Sequence, residues 1–238
     1  MTNSDGYKSF LRQGERVDDL GLNGLKIIQG PKAFGFGTDA VLLANFARVR
    51  PGERVLDLCT GSGIVPILLS GKTRAEHITG IEIQADCAEM ACRSVSMNGL
   101  DGRISIVAGD AKNAPELFGA SAFDAVTVNP PYTKSGAGLL NADDPRAAAR
   151  HELLCSLEDV IAVSARVLKP SKRFYMVHRP ERLADIICLM RGYGLEPKTL
   201  RFACDRAGLP PALALVEGVR GGKAGLRVME EWYCGLGE

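Results

Sequence analysis

No apolar run in this chain reaches the roughly 18 residues that a membrane-spanning helix requires. The N-terminal stretch "MTNSDGYKSFLRQGERVDDL" has no apolar core of the kind a signal peptide carries. A soluble, cytoplasmic protein without a membrane partner is therefore expected. There is no CxxC pair, and the three histidines (His77, His151, His178) show no metal-ligand spacing, so no bound metal is expected. The seven cysteines are scattered and odd in number, which excludes a disulfide framework. Cys87 and Cys92 fall in one predicted helix, Cys59 and Cys188 lie among apolar residues, and all read as buried free thiols. Internal repeats and low-complexity tracts are absent as well.

What is present is the composition of one globular unit: 238 residues, 46% hydrophobic and 24% charged. Its net charge of +1 conceals an asymmetry. From Arg166 to Arg227 there are 13 Lys/Arg against 5 Asp/Glu, and the rest of the chain has 16 against 23. An acidic body with a basic C-terminal third fits either a polyanionic partner or a merely solvated basic surface.

Short apolar runs alternate with amphipathic ones. "RVLDLC", "HITGIEI", "RISIVAGD", "FDAVTVN" and "KRFYMVH" read as strands. Between and after them, "IVPILLSG", "QADCAEMACRSVSMNGL", "SLEDVIAVSARVLKP" and "ERLADIICLMRGYG" read as helices. Asn98-Gly99 ends the second of these, and Ser156 caps the third. Continuous apolar strands joined by helices predict a mainly parallel sheet covered on both faces. After Gly194, "PKTLRFAC" and "PALALVEGVRGG" predict an antiparallel pair at one edge, with "VRGGKAGLR" at a hairpin. A lead-in, residues 1–50, precedes the body of residues 51–238. It contains "LKIIQG" and a helix capped near Thr38.

Ligands of open parallel sheets bind beyond the carboxyl ends of the strands. The loop "DLCTGSGI" sits at such an end, where Gly61 and Gly63 allow a tight turn and a close approach. It departs from the dinucleotide fingerprint GxGxxG, because Pro66 stands at the third glycine position and Asp57 precedes the loop. A cofactor with a cationic amino-acid tail and no pyrophosphate suits it better, which points to S-adenosylmethionine. Gly61 and Gly63 would admit the methionine part, Glu82 would hold the ribose, and Asp110 would meet the adenine amine. Cys59, Thr60, Ile83 and Ala111 belong to the same strand ends.

The fourth strand stops on Asn129-Pro130-Pro131-Tyr132. An exocyclic amine on an aromatic ring is a poor nucleophile because its lone pair is delocalised. The side-chain oxygen of Asn129 and the backbone carbonyl of Pro130 can accept its N–H groups, and the prolines hold that carbonyl rigid. Tyr132 offers a face for stacking. Lys134 is a candidate phosphate contact in the glycine-rich stretch that follows, which reads as a mobile segment over the site.

With "VLDLCTGSG", "GIEI", "AGD" and "NPPY" in order, the chain resembles the class I methyltransferases, whose Rossmann-like α/β fold has a seven-stranded sheet in the order 3-2-1-4-5-7-6 with strand 7 antiparallel. Asp/Asn-Pro-Pro-aromatic is that class's signature for planar amines. "ERVDDLGLNGLKIIQGPKAFGFGTDAVLLANFA", "NPPYTKSGAGLLNADDPRAAARHE" and "HRPERLADI" are similar to the Gram-positive branch of the tRNA1(Val) adenine-37 N6-methyltransferases. The resemblance spans about residues 15–235. It implies that Phe36, Gly37 and Asp39 border the cofactor, so that the lead-in caps it. It further implies that Asp57, Gly61, Glu82, Asp110 and Asn129 hold the cofactor, and that Asn129 to Tyr132 bind adenine in a tRNA. The rival readings are methylation of ribosomal RNA or DNA, of a release-factor glutamine, or an RNA-binding protein without activity. Monomer and homodimer both stay open.

Overall fold

The computed structural model describes residues 6–30, 37–130 and 155–235. Strand β3 (Arg54–Leu58) is buried from its second residue onward, because its apolar run is covered on both faces. It pairs in parallel with β4 (His77–Glu82) on one side and β6 (Phe123–Val128) on the other. β5 (Ile104–Ala108) continues the sheet beyond β4, and β7 (Leu168–His178) continues it beyond β6, again in parallel. β9 (Leu213–Arg220) then runs antiparallel between β7 and β8 (Leu195–Cys204). The order β5-β4-β3-β6-β7-β9-β8 is the expected topology of seven strands.

The structure adds two short strands on the outer edge of β8. β10 (Arg227–Val228) and β11 (Trp232–Tyr233) each pair with it in parallel, which makes nine strands in the sheet. This corrects the expected hairpin at "VRGGKAGLR". β9 and β10 flank β8 on opposite sides, so the chain crosses over at Gly221–Gly225 instead of folding back on itself. Two-residue strands carry too little alternation to be read from sequence.

Helices cover both faces. α1 (Thr38–Phe46), α2 (Ile64–Lys72) and α3 (Ala85–Met97) bury one cluster, in which Leu43, Leu69 and Val95 meet Val55, Ile78 and Tyr175. α4 (Ala114–Phe118), α5 (Leu157–Val167) and α6 (Leu183–Gly192) bury the other against Leu56, Val126 and Met176. The ends follow local chemistry. Gly99 takes the left-handed turn after α3, with φ +66°. Ser156 Oγ accepts the Asp159 N–H while Asp159 accepts the Ser156 N–H, a reciprocal cap on α5. α1 is capped by Gly37, as expected near Thr38, and without a side-chain bond.

In the lead-in, β1 (Arg16–Asp19) and β2 (Lys26–Gln29) form a separate antiparallel pair. β2 lies along α3: Asn98 Oδ1 accepts the Lys26 N–H and Ser94 Oγ accepts the Ile28 N–H. All seven cysteines are free, but Cys92 and Cys188 are exposed, which corrects the reading of uniformly buried thiols. Each falls on the solvent side of its helix, where a thiol costs little. Among the described residues no helix is long and apolar enough to cross a membrane. Among them, too, no group of three His, Cys, Asp or Glu is placed to hold a metal ion.

Candidate active site

The chain moves outward from β3 to β5 and then returns to the far side of β3 as β6. Such a reversal leaves a crevice beyond the carboxyl ends of β3 and β6. Leu58 pairs with Val128, so the next residues, Cys59 and Asn129, emerge at the same level.

The glycine loop is built by its backbone. Cys59 and Gly61 both adopt φ +56°, and Gly63 adopts φ +83°. The Thr60 N–H donates to the Ile81 carbonyl at 3.0 Å, and the Gly63 N–H donates to the Thr60 carbonyl at 3.0 Å. The two glycines do different jobs. A Cβ on Gly63 would lie 3.1 Å from the Ala91 Cβ, so Gly63 lets α3 pack closely. A Cβ on Gly61 would meet nothing within 4 Å, so that position faces open space.

Two carboxylates hold the loop from below. Glu82, only 5% exposed at the end of β4, accepts the Gly61 N–H through Oε2 at 2.9 Å and the Gln84 N–H through Oε1 at 3.0 Å. Asp57 is 1% exposed. Its Oδ2 accepts from Thr60 Oγ1 and its Oδ1 from Thr127 Oγ1, each at 2.6 Å. Burial pushes the Asp57 carboxyl up to about 7, in spite of these two hydroxyls, and the nearby Glu82 charge adds to the rise. Cys59 packs against the buried cluster that contains Cys155. The neighbouring Cys155 thiol and burial raise the Cys59 thiol, while Cys59 lowers that of Cys155.

The remaining predicted residues stand at the neighbouring strand ends and at the start of α1. Ile83 follows Glu82 and is 40% exposed, an apolar side chain left open to solvent. Asp110 follows β5. Its Oδ1 accepts the Lys112 N–H at 2.9 Å, and its Oδ2 lies 3.5 Å from Lys112 Nζ. Ala111 is buried beneath it. The Gly109 N–H donates to the Glu82 carbonyl at 2.8 Å, which ties this strand end to the previous one. At the start of α1, Asp39 folds back over Gly37, where a Cβ would sit 2.3 Å from Asp39 Oδ1.

Asn129 completes the arrangement. Alternation along β6 puts it on the side of Thr127, the residue that reaches Asp57. Its Oδ1 is buried and has no hydrogen-bond partner. An unpaired buried acceptor costs about 1–3 kcal/mol, and a catalytic role is one reason a native protein keeps such a group. Pro130 is buried next to it. Phe36, Pro131, Tyr132 and Lys134 lie outside the described residues, as does the glycine-rich stretch after Tyr132.

One buried polar residue of the lead-in escaped sequence reasoning. Gln29, at the end of β2, is fully buried, and neither its Oε1 nor its Nε2 has a partner. The only signal in the sequence is a carboxamide closing the apolar run "KIIQ".

The family model described as methyltransferase small domain matches residues 31–182, which include the glycine loop, Glu82, Asp110 and Asn129. The chain belongs to the methyltransferase small domain family. This methyltransferase is similar to the "tRNA1(Val) (adenine(37)-N6)-methyltransferase" of Aeromonas salmonicida (strain A449). The two are 33% identical over 178 residues, which cover 74% of this chain and 72% of the relative. Among solved structures it is similar to a predicted O-methyltransferase, protein Atu636, from Agrobacterium tumefaciens. There the TM-score is 0.66 and the identity 24%, over 82% of this chain and 86% of the other. The fold also matches a geranyl diphosphate methyltransferase solved in complex with S-adenosylmethionine, at TM-score 0.52 and 15% identity, over 77% and 84% of the two chains. S-adenosylmethionine is the cofactor of this methyltransferase class.

Proposed function

We propose that this protein methylates the N6 amine of adenine in tRNA, at position 37 of tRNA1(Val), with S-adenosylmethionine as donor. The observation that carries the reading is the buried, unpartnered Oδ1 of Asn129 beside the glycine loop. An acceptor fixed in place before substrate arrives needs no reorganisation during reaction, and that is where preorganised polar groups are most effective.

The residues fit the cofactor. Gly61 leaves room where an amino-acid tail would lie. Glu82, whose oxygens keep further lone pairs, would hold the ribose hydroxyls. Exposed Ile83 offers a surface for the adenine ring, with Asp110 and Ala111 at its far edge. Asp57 and Thr60 act through the loop they brace, and Cys59 shapes its first turn. Gly37 and Asp39, with Phe36, border the site from the lead-in. When bound, the cofactor supplies a methyl group on a positively charged sulfur.

The chain's own contribution is positioning. Asn129 Oδ1 accepts one N–H of the target amine, and the Pro130 carbonyl accepts the other. Together they fix the nitrogen and favour its pyramidal form. Pro131 keeps that carbonyl rigid, Tyr132 stacks on the base, and Lys134 meets a flanking phosphate. The amine loses its proton after transfer, so no strong base is required. A loop base is already partly unpaired, which lowers the cost of turning it into the crevice. The protein acts in the cytoplasm, where its substrate is.

Incubating the protein with total RNA and labelled S-adenosylmethionine, followed by nucleoside mass spectrometry, tests this reading. N6-methyladenosine in the tRNA fraction is expected. Label confined to ribosomal RNA, to another nucleoside or to protein would overturn it.

A further inference from the structure

The crevice at Asn129 does not use the excess of positive charge in the C-terminal third. The fold gathers part of it elsewhere. A groove of about 590 Å³ lies at the opposite, amino-terminal end of the strands, lined by Arg48, Arg50, Arg173, Lys198 and Arg227, with Glu217 as its one carboxylate. These cations come from distant parts of the chain: the segment after α1, then β7, β8 and β10. The crossover that places β10 outside β8 is what brings Arg227 to Thr199 and so to this groove.

Glu217 cannot neutralise the cluster. It is engaged by Arg173 Nε at 3.5 Å and by the Thr199 hydroxyl at 2.6 Å. Lys198 Nζ donates to the Lys223 carbonyl at 3.0 Å, which orients its charge without cancelling it. Arg48, Arg50 and Arg227 are exposed, and no carboxylate among the described residues pairs with their side chains. Three guanidinium groups on one groove that holds a single carboxylate repel each other, and a polyanion laid across them relieves the repulsion.

We infer that this groove holds the phosphodiester backbone of the RNA substrate, away from the target base. The inference rests on the proposed methylation of tRNA and deepens it by assigning a backbone contact outside the crevice. Arg173 pairs with Ala125, four residues before Asn129 on β6, so the groove begins about 13 Å from Asn129 along the strands. Arg227 lies four strands to the side, at about 4.8 Å each, and is level with Thr127 through Thr199, Glu217 and Tyr175, two residues before Asn129. The groove therefore runs from about 14 Å to about 20 Å from Asn129, a distance that the backbone of an RNA entering the crevice can cover.

The test compares the wild-type protein with Arg50→Glu/Arg227→Glu and Arg50→Gln/Arg227→Gln. Binding of intact tRNA is measured by fluorescence anisotropy between 50 and 200 mM salt. Methylation kinetics are measured on intact tRNA, and calorimetry with S-adenosylmethionine checks the fold of each variant. The expected result is tRNA binding about ten-fold weaker, with a log–log salt slope shallower by about 2, one unit for each lost phosphate contact. KM for intact tRNA rises, and S-adenosylmethionine binds as to the wild type. Should the Glu pair lose cofactor binding, the Gln pair decides by the same salt slope. Unchanged tRNA affinity and slope in variants that bind cofactor, with a wild type that methylates tRNA, overturn the groove alone. A wild type that neither binds nor methylates tRNA overturns the function and the groove together. Loss of affinity for an acidic protein but not for tRNA assigns the groove to a different partner and overturns the proposal.

Discussion

The Thr127 hydroxyl on β6 donates to Asp57 Oδ1 on β3 at 2.6 Å, and so couples the strand that delivers Asn129 to the strand that delivers the glycine loop. The second oxygen of the same carboxylate takes the Thr60 hydroxyl of that loop. One buried acid therefore sets the spacing between the two halves of the crevice.

This arrangement predicts an unusual pH dependence. The folded-state Asp57 carboxyl titrates at about 7 rather than at the ordinary 3.8. A carboxyl raised on folding favours the folded state most when it is protonated. Its contribution is complete below about pH 4 and declines as pH rises to about 7, at about 1.4 kcal/mol per pKa unit. Asp57→Asn removes that decline. Urea unfolding of both proteins at pH 5 and pH 8 should show the variant gaining stability relative to the wild type at the higher pH. An equal difference at both pH values would mean that Asp57 keeps an ordinary carboxyl.

Asn129→Ala separates function from stability. Removing a preorganised donor or acceptor at a reacting group typically costs about 10²–10³ in rate. The deleted oxygen has no partner in the folded chain, so the urea midpoint should stay level or rise. A variant that is less stable but equally active would show that Asn129 serves packing only.

The two loop glycines should respond differently to alanine. Gly61→Ala meets open space but must hold φ +56°, which costs about 1 kcal/mol. Its new methyl group enters the open space proposed for the cofactor, so weaker S-adenosylmethionine binding is expected by calorimetry. Gly63→Ala adds contact with Ala91 to the strain of its own positive φ, and should lose more stability. Equal losses of stability would show that α3 moves aside freely.

Gln29→Met exchanges a fully buried carboxamide with two unpartnered atoms for an apolar side chain of similar length. A gain of about 1–3 kcal/mol in the cofactor-free protein is expected from urea unfolding. A loss of that size would mean that Gln29 finds partners in solution.

The strand-and-helix order from Arg54 to Gly194 was legible because apolar periodicity and end signals act over a few residues. The capping box at Ser156 and the turn at Gly99 needed no tertiary information. The strand ends that carry Gly61, Glu82, Asp110 and Asn129 were legible for the same reason. α4 was not, since five residues hold too little pattern.

Other features existed only once the chain had folded. No spacing relates Asp57 to Thr127, or Arg227 to Arg48, because each pair meets through strand pairings that depend on the whole sheet. Asp57 read as a cofactor contact, and its role under the loop comes from Thr60 and Thr127 arriving at its two oxygens. Gln29 looked ordinary until burial removed its water. Periodicity and caps are local free energies, which a short segment already contains. Desolvation, charge convergence and the crossing of β10 over β8 are sums over distant contacts, and those the compact state alone supplies.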